Sequence, residues 1–139
     1  MFSIIIPALN ESKSLKESNY IEELINHLNK ENYSNYEIIL VNDGSKDETL
    51  EIFNNLKSKY DFVKVISHSI NKGYGSSLKT GITFATYDAV VITDVDGTYS
   101  PKAVTEIIKI YLNRKKNSIS GVDMVVASRK GKNLNETLF

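Results

Sequence analysis

Apolar residues along this chain fall into two alternating patterns. Short, near-continuous apolar runs rich in Ile and Val alternate with longer segments in which apolar residues recur every three or four positions. Near-continuous runs are typical of strands buried on both faces of a parallel sheet, and the wider spacing is typical of amphipathic helices. The predicted strands are Phe2–Ile6, Tyr36–Val41, Phe62–Ser67, Asp88–Thr93 and Val122–Ala127.

Four helices are predicted between these strands. Ser45 and Glu48 have capping-box spacing ahead of the second helix, and Ser100 and Pro101 suit the N-cap and first position of the fourth. The residues that form the four apolar stripes are Ile21, Leu24, Ile25 and Leu28, then Leu50, Phe53 and Leu56, then Leu78, Ile82 and Ala85, and finally Val104, Ile107, Ile108, Tyr111 and Leu112.

Strands that alternate with helices predict a single α/β domain over residues 1–139, with right-handed crossovers and a mostly parallel sheet flanked by helices. In such sheets, ligands bind at the carboxyl ends of the strands, near the switch in strand order. A binding site is therefore expected among the five segments that follow the strands, which are Pro7–Ser12, Asn42–Thr49, His68–Ser76, Asp94–Pro101 and Ser128–Asn133.

Carboxylates follow three of the strands, and five of them, Glu11, Asp43, Asp47, Asp94 and Asp96, are expected to lie along one edge of a parallel sheet. A cluster of this kind repels itself and any phosphate, so it requires a cation or a hydrogen-bonding ligand. Asp94 and Asp96 are two residues apart, so both can face one side and bind a divalent ion such as Mg²⁺ together with substrate phosphates and water. Taken singly, Asn10–Ser12 and Asn42–Ser45 are better explained as a capping segment and a strand-to-helix turn, whereas the position of Asp94–Gly97 after a buried strand favours a metal site.

A glycine-rich loop, Asn71–Gly75, precedes the third helix. It matches neither a Walker A loop nor a dinucleotide fingerprint, and the turn after the first strand has no glycine, which argues against a classical NAD or FAD site. The loop permits close approach of a ligand to its backbone, and it is equally compatible with a plain flexible connection. Arg129 follows the last predicted strand, where it could hold a phosphate. No role is assigned to His27 or His68.

Composition excludes several classes of protein. The 139 residues are 41% hydrophobic and 24% charged, as in a folded domain, and the absence of cysteine excludes disulfides, thiolate zinc sites and thiol nucleophiles. Seventeen basic residues balance seventeen acidic ones, which disfavours a nucleic-acid partner. No apolar run is long enough to span a bilayer, and no cationic region precedes the first strand. We therefore expect a cytoplasmic protein without a signal peptide.

The motifs together resemble those of family 2 glycosyltransferases. Pro7–Glu11, Asn42–Thr49, Asn71–Gly75 and Asp94–Gly97 occur in the order and spacing of that family. The resemblance implies a GT-A fold, a Rossmann-like domain that binds a nucleoside-diphosphate sugar. Within the family, the glycine-rich loop and the segment Asp94–Tyr99 are most similar to polyprenyl-phosphate (dolichol-phosphate type) sugar transferases.

The resemblance also implies roles for individual residues. Asp96 matches the metal-binding aspartate, assisted by Asp94, and the metal would be Mg²⁺ or Mn²⁺. Asp43 matches a hydrogen-bond acceptor for the edge of the base. The residues implied to bind the nucleotide sugar are Pro7, Leu9, Glu11, Val41 and Asp43 for the base and ribose, Asp94 and Val95 for the ribose and diphosphate, and Arg129 for the phosphates.

The implied reaction is the metal-dependent transfer of a sugar from a UDP- or GDP-sugar to an acceptor, with inversion of configuration. A polyprenyl phosphate acceptor arrives as an oxyanion and requires no general base, unlike a hydroxyl acceptor. Such an acceptor would place the protein peripherally at the cytoplasmic face of the membrane. Family members carry acceptor-side elements beyond the fifth strand, so we expect this chain to hold the donor side, and no catalytic base is identified in it.

Two alternatives remain open from the sequence. The run Val90–Thr98 also resembles the first motif of haloacid-dehalogenase-type phosphatases, in which Asp94 would be the nucleophile and Asp96 the acid/base. That motif normally follows the first strand, whereas here it follows the fourth. The other alternative is a non-catalytic module or fragment that binds a nucleotide sugar without transferring it.

Overall fold

Strands and helices alternate along the described part of the chain, which is residues 1–116 and 124–127 of a computed structural model. In chain order the elements are β1 (Phe2–Ala8), α1 (Ser12–Ser18), α2 (Tyr20–Lys30), β2 (Tyr36–Asn42), α3 (Thr49–Lys59), β3 (Val63–Ser67), α4 (Tyr74–Thr83), β4 (Val90–Ile92) and α5 (Pro101–Lys116).

Within the described residues, four parallel strands form one sheet in the order β3-β2-β1-β4. Ile4 of β1 pairs with Ile38 of β2 on one side and with Val91 of β4 on the other. This arrangement confirms the predicted α/β architecture with a parallel sheet. The direction of winding reverses at β1, so the crevice at the carboxyl ends of β1 and β4 is where this architecture binds ligands.

Apolar side chains cover the two faces of the sheet unequally. On one face, Ile4, Ile6, Ile38 and Leu40 pack in the main core with residues from α1, α2, α3 and α5. On the other face, Ile5, Ile39 and Val41 form a smaller cluster, with Leu78 of α4 against it. The predicted stripe of α2 is confirmed, since its four members are all buried in the main core, namely Ile21, Leu24, Ile25 and Leu28.

The buried face of α4 differs from the predicted stripe of Leu78, Ile82 and Ala85. Its buried residues are Ser77 and Gly81, whereas Ile82 is 51% exposed and Ala85 lies beyond the helix. A Cβ on Gly81 would lie 2.4 Å from Cγ2 of Ile5, so this helix approaches β1 too closely for a large side chain. The close contact between α4 and β1, and not the spacing of apolar residues, therefore determines which face of α4 is buried.

The ends of two predicted helices are informative. The first predicted helix is preceded by the short helix α1, and Asn19, with φ +46°, separates the two. The sequence pattern missed α1 because Leu15 is its only buried residue. The cap predicted for the last helix is confirmed, because Ser100 Oγ accepts a hydrogen bond from the Ala103 N–H at 3.2 Å and α5 begins at Pro101.

The outer strands are less buried than predicted. In β4 only Val91 packs against the main core, while Val90 and Ile92 are 36% and 46% exposed. The fifth predicted strand, Val122–Ala127, was wrong for its described part, because residues 124–127 form no strand. A strand at this edge would have to pair with β4, which offers only three residues for a ladder of hydrogen bonds.

A buried polar network joins β1 and β2 to the α4–β4 connection, near the amino ends of those strands. The Glu37 carboxylate, 5% exposed, accepts hydrogen bonds from the Ser3 hydroxyl at 2.6 Å and from the N–H and hydroxyl of Thr86. Lys64 pairs with it at 2.6 Å. Burial acts to raise the pKa of Glu37, but the hydrogen bonds from Lys64, Ser3 and Thr86 outweigh it and hold the pKa below its usual value.

We predict that Glu37→Gln lowers the free energy of unfolding by about 2 to 3 kcal/mol, because an amide loses the charge and places an NH₂ group among donors. Urea denaturation at neutral pH measures the change. Glu51→Gln, at an exposed position on α3, is the matched control and should have little effect. Equal stabilities of Glu37→Gln and wild type would contradict this account of the network.

Candidate functional site

A cleft of about 470 Å³ opens at the carboxyl ends of the strands. Its walls come from the ends of β1 and β2, the loop before α4, the first turn of α4 and the segment after β4. The lining residues are Pro7, Ala8, Leu9, Glu11, Asp43, Asn71, Gly73, Tyr74, Ser77, Asp94, Val95 and Asp96.

The structure brings most of the predicted site residues to this cleft. Val41 does not line it, because its side chain is fully buried with Ile5 and Ile39 in the smaller core cluster. Arg129 lies outside the described residues. The predicted site residues that do line the cleft are Pro7, Leu9, Glu11, Asp43, Asp94, Val95 and Asp96.

Hydrogen bonds lock the loop after β1 to the loop after β2. Each bond joins a backbone N–H of one loop to a side-chain oxygen of the other, so the two loops form one unit that fixes Leu9 and Glu11 relative to the end of β2. The bonds run from Asn10 N to Ser45 Oγ (2.9 Å), from Lys46 N to Asn10 Oδ1 (2.8 Å), from Glu11 N to Thr49 Oγ1 (2.9 Å) and from Ser12 N to Asp47 Oδ2 (3.0 Å).

This lock changes the predicted cap of α3. Ser45 and Glu48 do not form a capping box, because Ser45 bonds to Asn10 and Glu48 pairs with Lys16. Glu48 is the N-cap residue without a side-chain cap bond, and Asp47 just before it accepts a hydrogen bond on Oδ1 from the N–H of Thr49, the first residue of α3, at 3.0 Å. Burial acts to raise the pKa of Asp47, and the hydrogen bonds that it accepts outweigh this and hold the pKa well below its usual value. Asp47 therefore has a structural role outside the cleft wall.

Asp43 ties the end of β2 to the loop before α4. Its side chain is buried, its Oδ1 accepts from His68 Nδ1 at 2.7 Å and from the Lys72 N–H at 2.9 Å, and its Oδ2 accepts from the Gly73 N–H at 2.8 Å. Burial acts to raise the pKa of Asp43, but these hydrogen bonds outweigh it and lower the pKa. The carboxylate is thus ionised at neutral pH and holds the glycine-rich loop against the cleft.

His68 is a residue of the site to which the sequence assigned no role. It is buried, and its Nε2 lies 2.9 Å from Thr80 Oγ1 on α4, so it joins Asp43 to that helix. The Thr80 hydroxyl can donate or accept, and it therefore satisfies Nε2 in either protonation state of the ring. The signal that could have found His68 is its position directly after β3, at the edge where ligands bind.

Gly44 allows the loop after β2 to touch the loop before α4. Its φ is +72°, and a Cβ placed on it would lie 2.4 Å from the carbonyl carbon of Ile70 and 2.6 Å from the backbone nitrogen of Asn71. Backbone atoms cannot move aside as a side chain can, so any other residue would force the two loops apart.

The segment after β4 presents two carboxylates to the cleft. Asp94 is partly buried, Val95 is buried and Asp96 is exposed, with its Oδ1 accepting from the Thr98 N–H at 2.8 Å. The Tyr74 hydroxyl donates to Asp94 Oδ1 at 3.1 Å. Burial and the Asp94 charge raise the pKa of Tyr74 to about 12, so this hydroxyl stays protonated and able to donate at neutral pH.

A divalent cation fits these two carboxylates only with further ligands from elsewhere. Within residues 1–116 and 124–127, no group of three or more His, Cys, Asp or Glu side chains is arranged to hold a metal. Mg²⁺ ordinarily takes one or two protein carboxylates and fills its other positions with phosphate oxygens and water. The oxygen donors of Asp94 and Asp96 therefore suit a hard cation that binds together with a phosphate ligand.

Comparison with known proteins places the chain in a family. Residues 3–137 match the model of the family described as Glycosyl transferase family 2. The chain belongs to this family. The family 2 match includes the segment with Asp94 and Asp96, so the phosphatase alternative is not favoured.

Named relatives of this family 2 chain include sugar transferases. It is 34% identical to the UDP-N-acetylglucosamine--dolichyl-phosphate N-acetylglucosaminyltransferase of Methanococcus voltae, over 85% of this chain and 50% of the relative. It is 35% identical to the dolichol-phosphate mannosyltransferase of Pyrococcus furiosus, over 91% of this chain and 32% of the relative. The chain thus spans half or less of the length of these relatives.

Solved structures share the fold of this family 2 chain. The mannosyltransferase PcManGT from Pyrobaculum calidifontis, in complex with GDP-Man and Mn²⁺, matches with a TM-score of 0.54 at 24% identity, over 68% of this chain and 27% of that protein. S. aureus TarS 1-349 in complex with UDP matches with a TM-score of 0.54 at 26% identity, over 80% of this chain and 32% of that protein. These matches confirm the expected GT-A fold.

The structure also bears on the expectation about membranes. Among the described helices of this family 2 chain, none combines the length and the apolar character that crossing a membrane requires.

We predict that Gly44→Ala lowers the free energy of unfolding by about 2 kcal/mol or more, because it combines an unfavourable positive φ with a clash against backbone. Gly75→Ala is the matched control, since its Cβ would meet nothing within 4 Å and alanine favours the helix. Urea denaturation of both variants measures the difference. An unchanged Gly44→Ala would show that the two loops can separate without cost.

We predict that Asp43→Asn destabilises the protein at neutral pH and has a smaller effect in acid. Because the pKa of Asp43 is lowered by folding, its ionised form adds stability above the unfolded pKa of about 3.9, and this stability is lost as the pH falls through the lower folded value. The measurement is the difference in unfolding free energy between variant and wild type from neutral pH into acid. Asp61→Asn, at an exposed position before β3, is the control. A difference that does not shrink in acid would contradict the prediction.

Proposed function

We propose that this chain binds the nucleoside-diphosphate sugar donor, a UDP- or GDP-sugar, of a family 2 glycosyltransferase that transfers the sugar with inversion. The observation that carries the proposal is the convergence of four separate segments, after β1, after β2, at the start of α4 and after β4, on one cleft with Asp43, Asp94 and Asp96 in its wall. Relatives whose names specify transfer to dolichyl phosphate or dolichol phosphate support it.

Asp96, with Asp94, would hold Mg²⁺ or Mn²⁺ in this cleft. A divalent cation bound there would offset the negative charge of the departing nucleoside diphosphate. The protein contributes the positions of the two carboxylates. Buried Val95 anchors the segment between them, and the Tyr74 hydroxyl fixes one oxygen of Asp94. Asp94 and the exposed Asp96, which both line the cleft, would then supply the protein oxygens for a cation that also binds donor phosphates.

The remaining cleft residues would bind the nucleoside. Pro7, Leu9 and Glu11 lie on one wall, which the lock between the loops holds in place, and Asp43 lies beside the loop before α4. The assignment of the base and ribose to this wall rests on the family resemblance and on the location of these residues. Val41 supports the wall from the core, and Arg129, outside the described residues, remains the proposed phosphate ligand.

The proposed acceptor is a polyprenyl phosphate at the membrane surface. The names of the Methanococcus and Pyrococcus relatives support this class of acceptor. Its phosphate oxygen is already an anion and can attack the anomeric carbon without a protein base. A hydroxyl acceptor would instead require a carboxylate or histidine to remove its proton.

We predict that UDP or GDP binds more tightly with Mn²⁺ than without it, and that Asp96→Ala abolishes this difference, because the substitution removes a cation ligand. Calorimetry with each nucleotide, with and without Mn²⁺, is the measurement. Asp61→Ala, a carboxylate removed at the opposite end of the sheet, should keep the metal dependence. Nucleotide binding of equal affinity with and without Mn²⁺, or no binding of either nucleotide, would refute the proposal.

Turnover is tested separately from binding. Incubation of the full chain with UDP-GlcNAc or GDP-mannose, Mn²⁺ and a dolichyl phosphate should form a lipid-linked sugar if the chain carries the whole activity. Donor binding without transfer or hydrolysis would identify the chain as a donor-binding module only, and would leave the assignment of the cleft intact.

A further inference from the structure

Ser77 carries a buried hydroxyl without a hydrogen-bond partner. Within residues 1–116 and 124–127, its Oγ is the buried side-chain polar atom that finds no donor or acceptor, and the residue is 0% exposed. Buried polar groups are nearly always hydrogen-bonded, so an exception indicates a missing partner.

Other hydroxyls in the helices of this chain behave differently. Those of Ser18, Ser58 and Thr83 each donate to the carbonyl oxygen four residues earlier, at 2.7 to 3.0 Å. The corresponding partner for Ser77 would be the Gly73 carbonyl oxygen. It accepts hydrogen bonds from the backbone N–H groups of Ser76 and Ser77, each at 3.1 Å, and none from the Ser77 hydroxyl. The Ser77 hydroxyl thus does not use the bond that helices usually offer it.

The position of Ser77 links this hydroxyl to the cleft. Ser77 lines the cleft from the first turn of α4, four residues after Gly73, whose N–H bonds to Asp43, and three after Tyr74, whose hydroxyl bonds to Asp94. The other lining residues that are buried are Pro7, Ala8, Asp43 and Val95, and we call these together with Ser77 the floor of the cleft.

Packing explains why residue 77 is small but not why it is polar. Ser77 and Gly81 form the face of α4 that lies against the sheet, where Gly81 approaches Ile5 closely. Alanine would meet this requirement equally well and has a higher helix propensity. The hydroxyl is therefore surplus to the folding of the free chain, which points to a ligand.

Chemistry limits which part of a ligand reaches this hydroxyl. The floor is otherwise apolar apart from Asp43, whose oxygens already accept three hydrogen bonds. A neutral hydroxyl adds no charge to attract phosphates, which lie more favourably near a cation at Asp94 and Asp96. An uncharged polar group that can donate or accept is the best match for Ser77.

We propose that the Ser77 hydroxyl hydrogen-bonds to an uncharged polar group of the nucleoside, in its base or its ribose, when a nucleoside diphosphate occupies the cleft. This inference rests on the proposed function. It makes Ser77 a specificity-determining residue of the donor site.

The test is calorimetry of UDP binding in the presence of Mn²⁺ to the wild-type chain, Ser77→Ala and Ser76→Ala. Ser77→Ala should weaken binding roughly five- to tenfold, the effect of one lost hydrogen bond. Ser76 lies in the same turn but does not line the cleft, so Ser76→Ala should bind as the wild type does. Without ligand, Ser77→Ala should melt at the wild-type temperature or above, because no bond within the protein is lost.

The outcomes separate this inference from the proposed function. If the wild type binds UDP and Ser77→Ala binds it equally well, the role of Ser77 is refuted and the donor site stands. If Ser77→Ala binds UDP more weakly but melts at a lower temperature than the wild type without ligand, the hydroxyl has a partner within the protein, and the inference is likewise refuted. If the wild type binds neither UDP nor GDP, both proposals fail.

A second nucleotide identifies the partner of the hydroxyl. The second nucleotide is 2′,3′-dideoxyuridine diphosphate, which lacks both ribose hydroxyls. The loss of affinity caused by Ser77→Ala should persist with this nucleotide if Ser77 contacts the base, and should disappear if Ser77 contacts the ribose. Either result supports the proposal and assigns the contact to one part of the nucleoside.

Discussion

The buried carboxylate of Asp43 fixes the geometry on which the cleft depends. By accepting hydrogen bonds from His68, Lys72 and Gly73, it joins the end of β2 to the first residue after β3 and to the loop before α4. That loop sets where α4 begins, and α4 in turn places Tyr74 and Ser77 at the cleft. A single ionised group thus couples the sheet to the helix that completes the site.

Electrostatics then divides the cleft into two regions. The charge of Asp43 is compensated by three hydrogen-bond donors within the protein, whereas the carboxylates of Asp94 and Asp96 lie together in the cleft wall after β4. A diphosphate placed beside these two carboxylates would be repelled unless a cation lay between them. Under the proposed function, the binding of the nucleotide and the binding of the metal should therefore be strongly coupled, and the floor of the cleft is left for the uncharged part of the ligand.

The features that follow from the spacing of residues along the chain could be predicted from the sequence, whereas those that depend on contacts between distant residues could not. The parallel sheet and the stripe of α2 follow from the spacing of apolar residues, and the gathering of carboxylates follows from strand order. The buried face of α4 could not be predicted, because it depends on how closely Gly81 meets Ile5. The role of His68 was missed for a similar reason, since its partners are 25 and 12 residues away in the chain.

The Glu37 network lies at the end of the sheet opposite the cleft, and this separation has a consequence for how the protein can change. Enzymes often lose stability when their sites are rebuilt, because the same residues serve both purposes. Here the network joins β1, β2 and β3 to the α4–β4 connection through residues that do not line the cleft, namely Ser3, Glu37, Lys64 and Thr86. Substitutions in the cleft at one end can therefore accumulate while the other end preserves the fold, which gives the domain room to acquire new ligands.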